Sequence, residues 1–281
     1  MTQLSIDPIV AEKLGQLRRL LSELPTAMVA FSGGVDSTFV LRIAREEIGP
    51  HVVGLTTTSA SMPARELEEA RRLAQEIGID HQIISTDEVA IEDYAKNPIN
   101  RCYFCKDNLY RICHEHAARV GIKTILDGVN ADDLGDFRPG LDAASEQQVR
   151  HPLVEVGLKK DEIRQISEQL GLPTWDKPAS PCLASRFPYG TSITHGRLRQ
   201  VEDAEEVLHA LGFREFRVRF EEDTARLEIA EEEIGLMAST EVREAVVSRI
   251  KTAGFRRVVL DLAGFRSGSL NDAVQNPAKP E

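Results

Sequence analysis

Apolar positions in the first half of the chain alternate between helical spacing and short continuous runs. Helical spacing begins at Pro8 and continues to Leu24, where Pro25 ends the predicted helix. Short apolar runs predict strands at 27–32, 51–59, 81–85 and 123–128, and helices are predicted between them at about 36–48, 63–77 and 102–120. Strands that alternate with helices in this way predict an α/β fold, with a parallel sheet that carries helices on both faces.

The second half of the chain shows two further patterns. Residues 129–200 contain six prolines and one predicted helix, at 159–170, and long irregular segments of this kind are often functional. After Gly196 the spacing predicts a helix at 197–211, strands at 215–220 and 225–230, a helix at 240–253 and a strand at 256–262. Their order predicts a small α+β domain of the type αββαβ.

Charge and cysteine content narrow the classes of protein. The chain has 45 acidic and 34 basic residues, a formal net charge of −11, which argues against a protein that coats nucleic acid. No apolar run approaches the length of a membrane span, and the N-terminus has no signal-peptide pattern. Four unevenly spaced cysteines are too few for a secreted disulfide scaffold. We therefore expect a cytoplasmic protein whose cysteines are reduced, metal-binding or catalytic.

The stretch AFSGGVDST, at 30–38, joins a predicted strand to a predicted helix. Glycines at such a junction let backbone N–H groups converge on an anion at the start of the helix. The loop has no lysine of the Walker type, so we expect it to cradle pyrophosphate as a leaving group, with ATP cleaved between its α- and β-phosphates. Asp36 is the candidate ligand for Mg²⁺ or Mn²⁺. The candidate ATP-binding residues are Ser32, Gly33, Gly34, Asp36, Ser37 and Thr38.

The cysteines offer a second kind of chemistry. Cys102 and Cys105 are three positions apart, on one face of a predicted helix, and Cys182 lies in the proline-rich segment. Three thiolates suit an iron–sulfur cluster with one open iron, which could hold a labile sulfide, or a zinc site completed by histidine or water. Cys113 has the helical spacing of core residues, so we expect it to pack inside the protein.

Five segments together resemble one family, the ATP-dependent sacrificial sulfur transferases (LarE) of the PP-loop, N-type ATP pyrophosphatase superfamily. The segments are AFSGGVDST, LDGVNADDLGDFRPG (126–140), CLASRFPYGTSIT (182–194), RVRF (217–220) and DLAGFRSG (261–268). The resemblance extends to about residue 272. The predicted organisation is a PP-loop ATP pyrophosphatase domain at 1–172, a cysteine-bearing active-site loop at 173–196, a small α+β domain at 197–270 and a flexible tail at 271–281.

The resemblance implies a substrate and a reaction. ATP would adenylylate a ring carboxylate of pyridinium-3,5-biscarboxylic acid mononucleotide, and a sulfur nucleophile would displace AMP to leave a thiocarboxylate. The cycle would repeat on the second carboxylate, giving the precursor of the nickel-pincer cofactor of lactate racemase. The family also implies a homo-oligomer, for which we expect a hexamer.

The family uses two forms of sulfur chemistry. In one form a cysteine that matches Cys182 gives up its own sulfur and becomes dehydroalanine. In the other form three cysteines hold a [4Fe–4S] cluster whose open iron binds a sulfide that is then transferred. Because Cys102 and Cys105 are present here, the three-cysteine form is the closer match, with Cys102, Cys105 and Cys182 as ligands and a separate sulfide donor.

Two arginines alternate by two on a predicted strand, so that Arg217 and Arg219 point to the same side. Paired guanidinium groups suit a phosphate, and the family's phosphate site lies in the matching strand. We therefore expect this pair to bind the phosphate of the nucleotide substrate, rather than to form a solvated strand face.

Four further residues are candidates by their position. Ser185 and Arg186, which follow the last cysteine, are expected to contact substrate or to orient the loop. Glu205 and Asp136 match acidic family positions near the site or near a bound divalent metal, and the alternative for both is a solvated helix surface.

Three other functions remain open at this stage. A tRNA thiolase would share the PP-loop and three cysteines, but it would need a basic RNA-binding extension, and the acidic chain shows none. An amidating PP-loop synthetase would need a glutaminase partner and would leave the cysteines without a role. A nucleotide-binding stress sensor would have no use for the serine and aspartate placement in the loop.

Overall fold

The computed structural model describes residues 6–135 and 138–266, which divide into two compact units. The first unit comprises 6–88 and 100–180, apart from 136–137, and the second comprises 89–99 and 181–266. The division differs from the predicted boundaries, since 89–99 belongs to the second unit and 173–180 to the first. The predicted tail at 271–281 and Asp136 lie outside the described residues.

The strands form two separate sheets. The strands are β1 (Ala27–Ala30), β2 (Val52–Thr58), β3 (Asp80–Ser85), β4 (Ile125–Leu126), β5 (Phe216–Glu221), β6 (Thr224–Ile229) and β7 (Arg257–Leu260). The first unit contains a four-stranded sheet in the order β3-β2-β1-β4, and all of its neighbouring strands are parallel. The second unit contains the order β5-β6-β7, with β5 antiparallel and β7 parallel to β6.

Helices connect these strands. They are α1 (Pro8–Ser22), α2 (Val35–Ile48), α3 (Ala64–Ile77), α4 (Glu92–Ala95), α5 (Arg101–Val120), α6 (Gly140–Glu146), α7 (Pro152–Glu155), α8 (Lys160–Gln169), α9 (His195–Ala210), α10 (Ile234–Ala238) and α11 (Thr240–Thr252). The described part of 129–200 contains elements that were not predicted, among them α6, α7 and a 3₁₀ turn at Leu183–Arg186. They were not predicted because they are too short to show a helical period in the sequence. Within the described ranges, no helix has the length and apolar content needed to cross a bilayer.

The central strand β1 shows why helices cover both faces of the first sheet. Ala27, Val29 and Phe31 pack in one apolar cluster with residues of α1, α2, α3 and α8. Met28 and Ala30 point the other way, into a cluster with residues of α5 and α6. Successive side chains of a strand alternate between faces, so a strand buried throughout needs a helical layer on each side. The predicted α/β class is confirmed; the second unit has the predicted αββαβ elements at 195–260, with α10 as an additional short helix between β6 and α11.

A buried ion pair connects three elements of the second unit. Arg186, in the 3₁₀ turn, is fully buried and donates through Nε to Glu205 Oε1 at 2.8 Å and through Nη2 to Glu205 Oε2 at 2.9 Å. Glu205 Oε1 also accepts from the backbone N–H of Val218 in β5 at 3.1 Å. The carboxylate on α9 therefore joins the turn that follows Cys182 to the sheet of this unit.

Replacing Glu205 with Gln should lower the free energy of unfolding by about 3–5 kcal/mol, because it leaves the Arg186 charge buried without its counter-charge. The control is Glu206→Gln, the next residue on α9, whose side chain is 62% exposed and should change stability by less than about 0.5 kcal/mol. Urea denaturation of both variants measures the difference. Equal stability of the two variants would show that the pair is not a structural anchor.

Candidate functional site

A cavity of about 320 Å³ opens at the C-terminal edge of the parallel sheet in the first unit. It lies where ligands bind in open α/β sheets, beyond the carboxyl ends of the strands. The loop after β1, the end of β2, the residues after β4 and one face of α5 form its walls. The lining residues are Ala30, Phe31, Ser32, Gly34, Asp36, Ser37, Thr56, Thr57, Met62, Lys106, Leu109, Asp127, Gly128, Val129, Asp133 and Arg138.

The glycine loop forms a polar cradle at the start of α2. Gly33 adopts a φ of 74°, a left-handed conformation that favours glycine, and Gly34 caps the helix. The hydroxyls of Ser32 and Ser37 lie 3.1 Å apart, and the N–H of Gly34 reaches Ser32 Oγ at 3.4 Å. Two hydroxyls, the backbone of Gly34 and the positive end of the α2 dipole therefore border the same cavity, an arrangement that suits an anion.

Thr38, a predicted ATP-binding residue, is not part of the cavity wall. Its side chain is fully buried and does not line the cavity, and its Oγ1 has no hydrogen-bond partner within the described structure. The hydroxyl donors of the cradle are therefore Ser32 and Ser37. Helical periodicity explains the difference, because successive residues of the first turn of α2 point in directions about 100° apart.

Gly128, after β4, lies against the backbone of this cradle. A Cβ atom at this position would lie 2.7 Å from the backbone N of Ser37 and 3.0 Å from the carbonyl carbon of Asp36. Any larger residue would force the end of β4 away from the start of α2. The glycine lies in a segment that the sequence analysis had singled out, but its role depends on the pairing of β1 with β4.

Asp36 carries an unusual carboxylate. Its Oδ2 accepts from Lys160 Nζ at 2.6 Å, whereas its buried Oδ1 has no hydrogen-bond partner among the described residues. Burial raises the pKa of Asp36 above its usual value, and the charge of Lys160 opposes this effect. An unsatisfied carboxylate oxygen beside an anion cradle is a suitable ligand for Mg²⁺.

Lys160 brings to the cradle the positive charge that the loop itself lacks. It is the first residue of α8, 124 positions after Asp36, and its backbone N–H donates to Asp132 at 2.9 Å. Lys160 was not predicted as a site residue, because no motif spacing connects residues that far apart. Lys160 itself does not line the cavity; two other cationic residues, Lys106 and Arg138, do, and Arg138 pairs with Asp133 at 2.8 Å.

Asp127, at the end of β4, holds the turn that contains Gly128. Its Oδ2 accepts from the hydroxyl of Tyr110 at 2.7 Å, and its Oδ1 lies 2.7 Å from His151 Nδ1 and accepts from the N–H of Val129 at 3.1 Å. The hydrogen bond to Asp127 raises the pKa of His151 above its usual value, and burial opposes it. This cluster was also missed, because its members come from three separate elements.

The cysteines are distributed over both units. Cys102 is exposed and Cys105 half-buried on α5 in the first unit, whereas Cys182 is half-buried in the second unit. Cys113 is fully buried among apolar side chains, and burial raises its pKa to about 12, so the predicted packing role is confirmed. All four lie within the described residues and form no disulfide. In the described part of the chain, no three His, Cys, Asp or Glu side chains are grouped as a metal site.

The remaining candidates surround the turn that follows Cys182. Arg186 Nη1 donates to the carbonyl of Cys182 at 3.2 Å and to Ser185 Oγ at 2.9 Å, so this fully buried arginine orients the turn and is not placed to contact substrate. Arg219 is also buried; it pairs with Glu228 at 2.8 Å and donates to the carbonyl of Ser185 at 2.8 Å. Glu205 is buried, which corrects the alternative of a solvated helix surface.

Arg217 is the more accessible member of the arginine pair. It is half-buried, and its guanidinium carbon lies 4.9 Å from the centroid of the Phe265 ring. A stacked guanidinium keeps its charge and its outer N–H groups while the aromatic face limits its motion.

Comparison with known proteins identifies a family whose match includes the glycine loop and the parallel sheet. The family described as queuosine biosynthesis protein QueC matches residues 26–182, which begin just before β1 and end at Cys182. A strand, a glycine loop and a helix at the edge of a parallel sheet, within this match, define an α/β nucleotide-binding protein of the PP-loop class.

Relatives that match nearly the whole chain specify the family. The chain is 39% identical to the pyridinium-3,5-bisthiocarboxylic acid mononucleotide synthase of Lactiplantibacillus plantarum, over 94% of the chain and 96% of that protein. It is 46% identical to an uncharacterized protein of Synechocystis sp., over 94% of the chain and 98% of that protein. A tRNA-specific 2-thiouridylase MnmA of Rickettsia massiliae is 26% identical over 67% of the chain. The chain therefore belongs to the LarE family of ATP-dependent sulfur-transferring enzymes, as its motifs predicted.

The pairing of His151 with Asp127 predicts a pH-dependent stability. Because the folded-state pKa of His151 is raised, its contribution is fully present below the unfolded-state pKa of about 6.5 and is lost as the pH rises through the folded-state value. The wild-type protein should therefore exceed His151→Gln in unfolding free energy by more at pH 6 than at pH 8. Urea denaturation at both pH values measures this, and an equal difference at both would contradict it.

Proposed function

We propose that this protein adenylylates pyridinium-3,5-biscarboxylic acid mononucleotide with ATP and converts its two carboxylates to thiocarboxylates, for nickel-pincer cofactor biosynthesis. The observation that carries the proposal is the carboxylate of Asp36, with one buried oxygen unsatisfied, beside the cradle formed by the glycine loop. The family relationship along 94% of the chain supports the choice of substrate.

The first step joins a carboxylate oxygen of the substrate to the α-phosphorus of ATP and releases pyrophosphate. The glycine loop and the hydroxyls of Ser32 and Ser37 hold the β- and γ-phosphates at the start of α2. Lys160 moves its ammonium from Asp36 to a phosphate oxygen, which leaves the Asp36 carboxylate for the metal ion. Asp36 would hold the Mg²⁺ ion, which would neutralise the charge that develops on the leaving pyrophosphate.

The second step transfers sulfur to the acyl carbon and releases AMP. If Cys182 is the nucleophile, its thiolate displaces AMP to form a thioester, and removal of the Cys182 α-proton then cleaves the Cβ–S bond. The products are the thiocarboxylate and dehydroalanine, so the protein is consumed. If sulfide is the nucleophile, it displaces AMP directly and the protein is unchanged.

We propose the sulfide route, with Cys102, Cys105 and Cys182 as the ligands of a [4Fe–4S] cluster and a separate sulfide donor. Support comes from two thiols three residues apart on the outward face of α5, together with a third thiol in the turn oriented by Arg186. A cluster binds through cysteine thiolates, and three of them leave one iron open. Within the described residues no three metal-ligating side chains are grouped, and iron analysis tests the cluster directly.

We propose that Arg217 binds the phosphate of the substrate, and that Arg219 and Ser185 support the site without contacting that phosphate. Stacking on Phe265 positions the Arg217 guanidinium, and Arg219 connects the Ser185 carbonyl to Glu228. We further propose a cytoplasmic location and a homo-oligomeric, hexameric state.

Replacing Asp36 with Asn, or Lys160 with Met, should lower substrate-dependent AMP formation by about 100-fold or more, because each change removes a charge that acts on the transferring phosphate. Matched controls are Asp161→Asn, also an acidic residue in the first turn of a helix, and Lys159→Met; both are exposed. AMP and pyrophosphate release measures the four variants. Full activity of both Asp36→Asn and Lys160→Met would reject the PP-loop as the ATP site.

The joint change of Cys102 and Cys105 to Ala should abolish iron binding and multiple turnover, since the sulfide route requires both thiolates. Protein prepared without oxygen should hold about four irons per chain in the wild type and in Cys113→Ala, whose thiol is buried in the core. Iron and sulfide analysis and mass spectrometry provide the readouts. Full activity of the double variant, with dehydroalanine at Cys182, would reject the cluster and establish the sacrificial route.

A further inference from the structure

Lys177 is a largely buried cation that contacts the glycine loop from outside the cavity. Its side chain is 13% exposed, and its Nζ donates to the carbonyl oxygen of Gly33 at 3.2 Å. The same Nζ pairs with Glu66 Oε2 at 2.8 Å and with Glu69 Oε2 at 2.7 Å, on α3. One ammonium group therefore joins the loop, α3 and the segment that follows α8.

The partners of this lysine are themselves held in place. A Cβ atom on Gly33 would lie 3.1 Å from Ala70 Cβ, so the loop packs directly on α3, next to the two glutamates. Arg164, on α8, donates to the carbonyl of Trp175 at 2.5 Å and to the carbonyl of Lys177 at 2.7 Å. The backbone of Lys177 is thus anchored independently of its side chain.

The planarity of the peptide bond transmits this contact to the cavity. In a planar trans peptide the C=O and the following N–H point in opposite directions. Holding the Gly33 carbonyl therefore also fixes the direction of the Gly34 N–H. Gly34 lines the cavity, and its N–H reaches Ser32 Oγ only at 3.4 Å, long for a hydrogen bond. With its carbonyl held by Lys177, the peptide directs this N–H toward an anion in the cradle, and the bound cation also polarises it.

We propose that Lys177 is a positioning residue for pyrophosphate, acting through the Gly33–Gly34 peptide without touching the ligand. The inference rests on the proposed function, because it takes the glycine loop as the site of the leaving pyrophosphate. It follows that affinity for pyrophosphate depends on Lys177, whereas affinity for AMP, which leaves those phosphate positions empty, does not.

Calorimetric titration of the full chain with magnesium pyrophosphate, and separately with AMP, tests the proposal. Lys177→Met should weaken pyrophosphate binding about tenfold, the effect of one ordinary hydrogen bond, and should change AMP binding less than about twofold. Lys177→Arg keeps a charged donor and should restore most of the affinity. The matched control is Lys13→Met, since Lys13 also clamps a carbonyl and a glutamate, Gly157 at 2.8 Å and Glu162 at 2.7 Å.

The outcomes distinguish this inference from the proposed function. Wild-type protein that binds no pyrophosphate would overturn the proposed function and this inference with it. Normal pyrophosphate binding by folded Lys177→Met, or equal weakening for AMP, would overturn the inference alone. If Lys177→Met does not fold, the double variant Glu66→Gln and Glu69→Gln decides, because loosening the ammonium should weaken pyrophosphate binding severalfold, and unchanged binding would overturn the inference.

Discussion

The close approach between the end of β4 and the first turn of α2 is the constraint on which the candidate site depends. Because Gly128 has no side chain, its Cα can lie against the backbone of Ser37, and Asp127 holds this turn through Tyr110 and His151. A cradle made of backbone N–H groups works only if its walls stay this close, since such donors have no flexible side chain with which to reach a ligand.

Positive charge reaches this cradle from distant parts of the chain. A Walker loop carries its own lysine, whereas here Lys160 meets Asp36 from α8 and Lys177 meets the Gly33 carbonyl from the segment that follows α8. A lysine that comes from a distant segment can also form ion pairs with other elements, and Lys177 pairs with two glutamates of α3. The cradle is therefore also stabilised by α3, none of whose residues lines the cavity.

In the second unit, burial decides between the two roles that the sequence suggested for Arg186. Arg186 follows Cys182 and was expected either to contact substrate or to orient the loop. It is fully buried against Glu205 and orients the turn through backbone carbonyls. Position next to a reactive residue predicts relevance to the site. Whether such a side chain faces the substrate or the core depends on burial, which a loop sequence without periodicity does not reveal.

The sequence by itself determined the α/β class, the glycine loop, the packing of Cys113 and the family, because periodicity and short motifs record local structure and local chemistry. Only the tertiary structure showed that Lys160 pairs with Asp36, that Gly128 borders the cradle and that the Thr38 side chain is buried. Those facts depend on residues up to 124 positions apart, brought together by the parallel pairing of β1 with β4 and by the packing of α8 on α2. Such contacts leave no local pattern, since their free energy is gained only when the whole unit has folded.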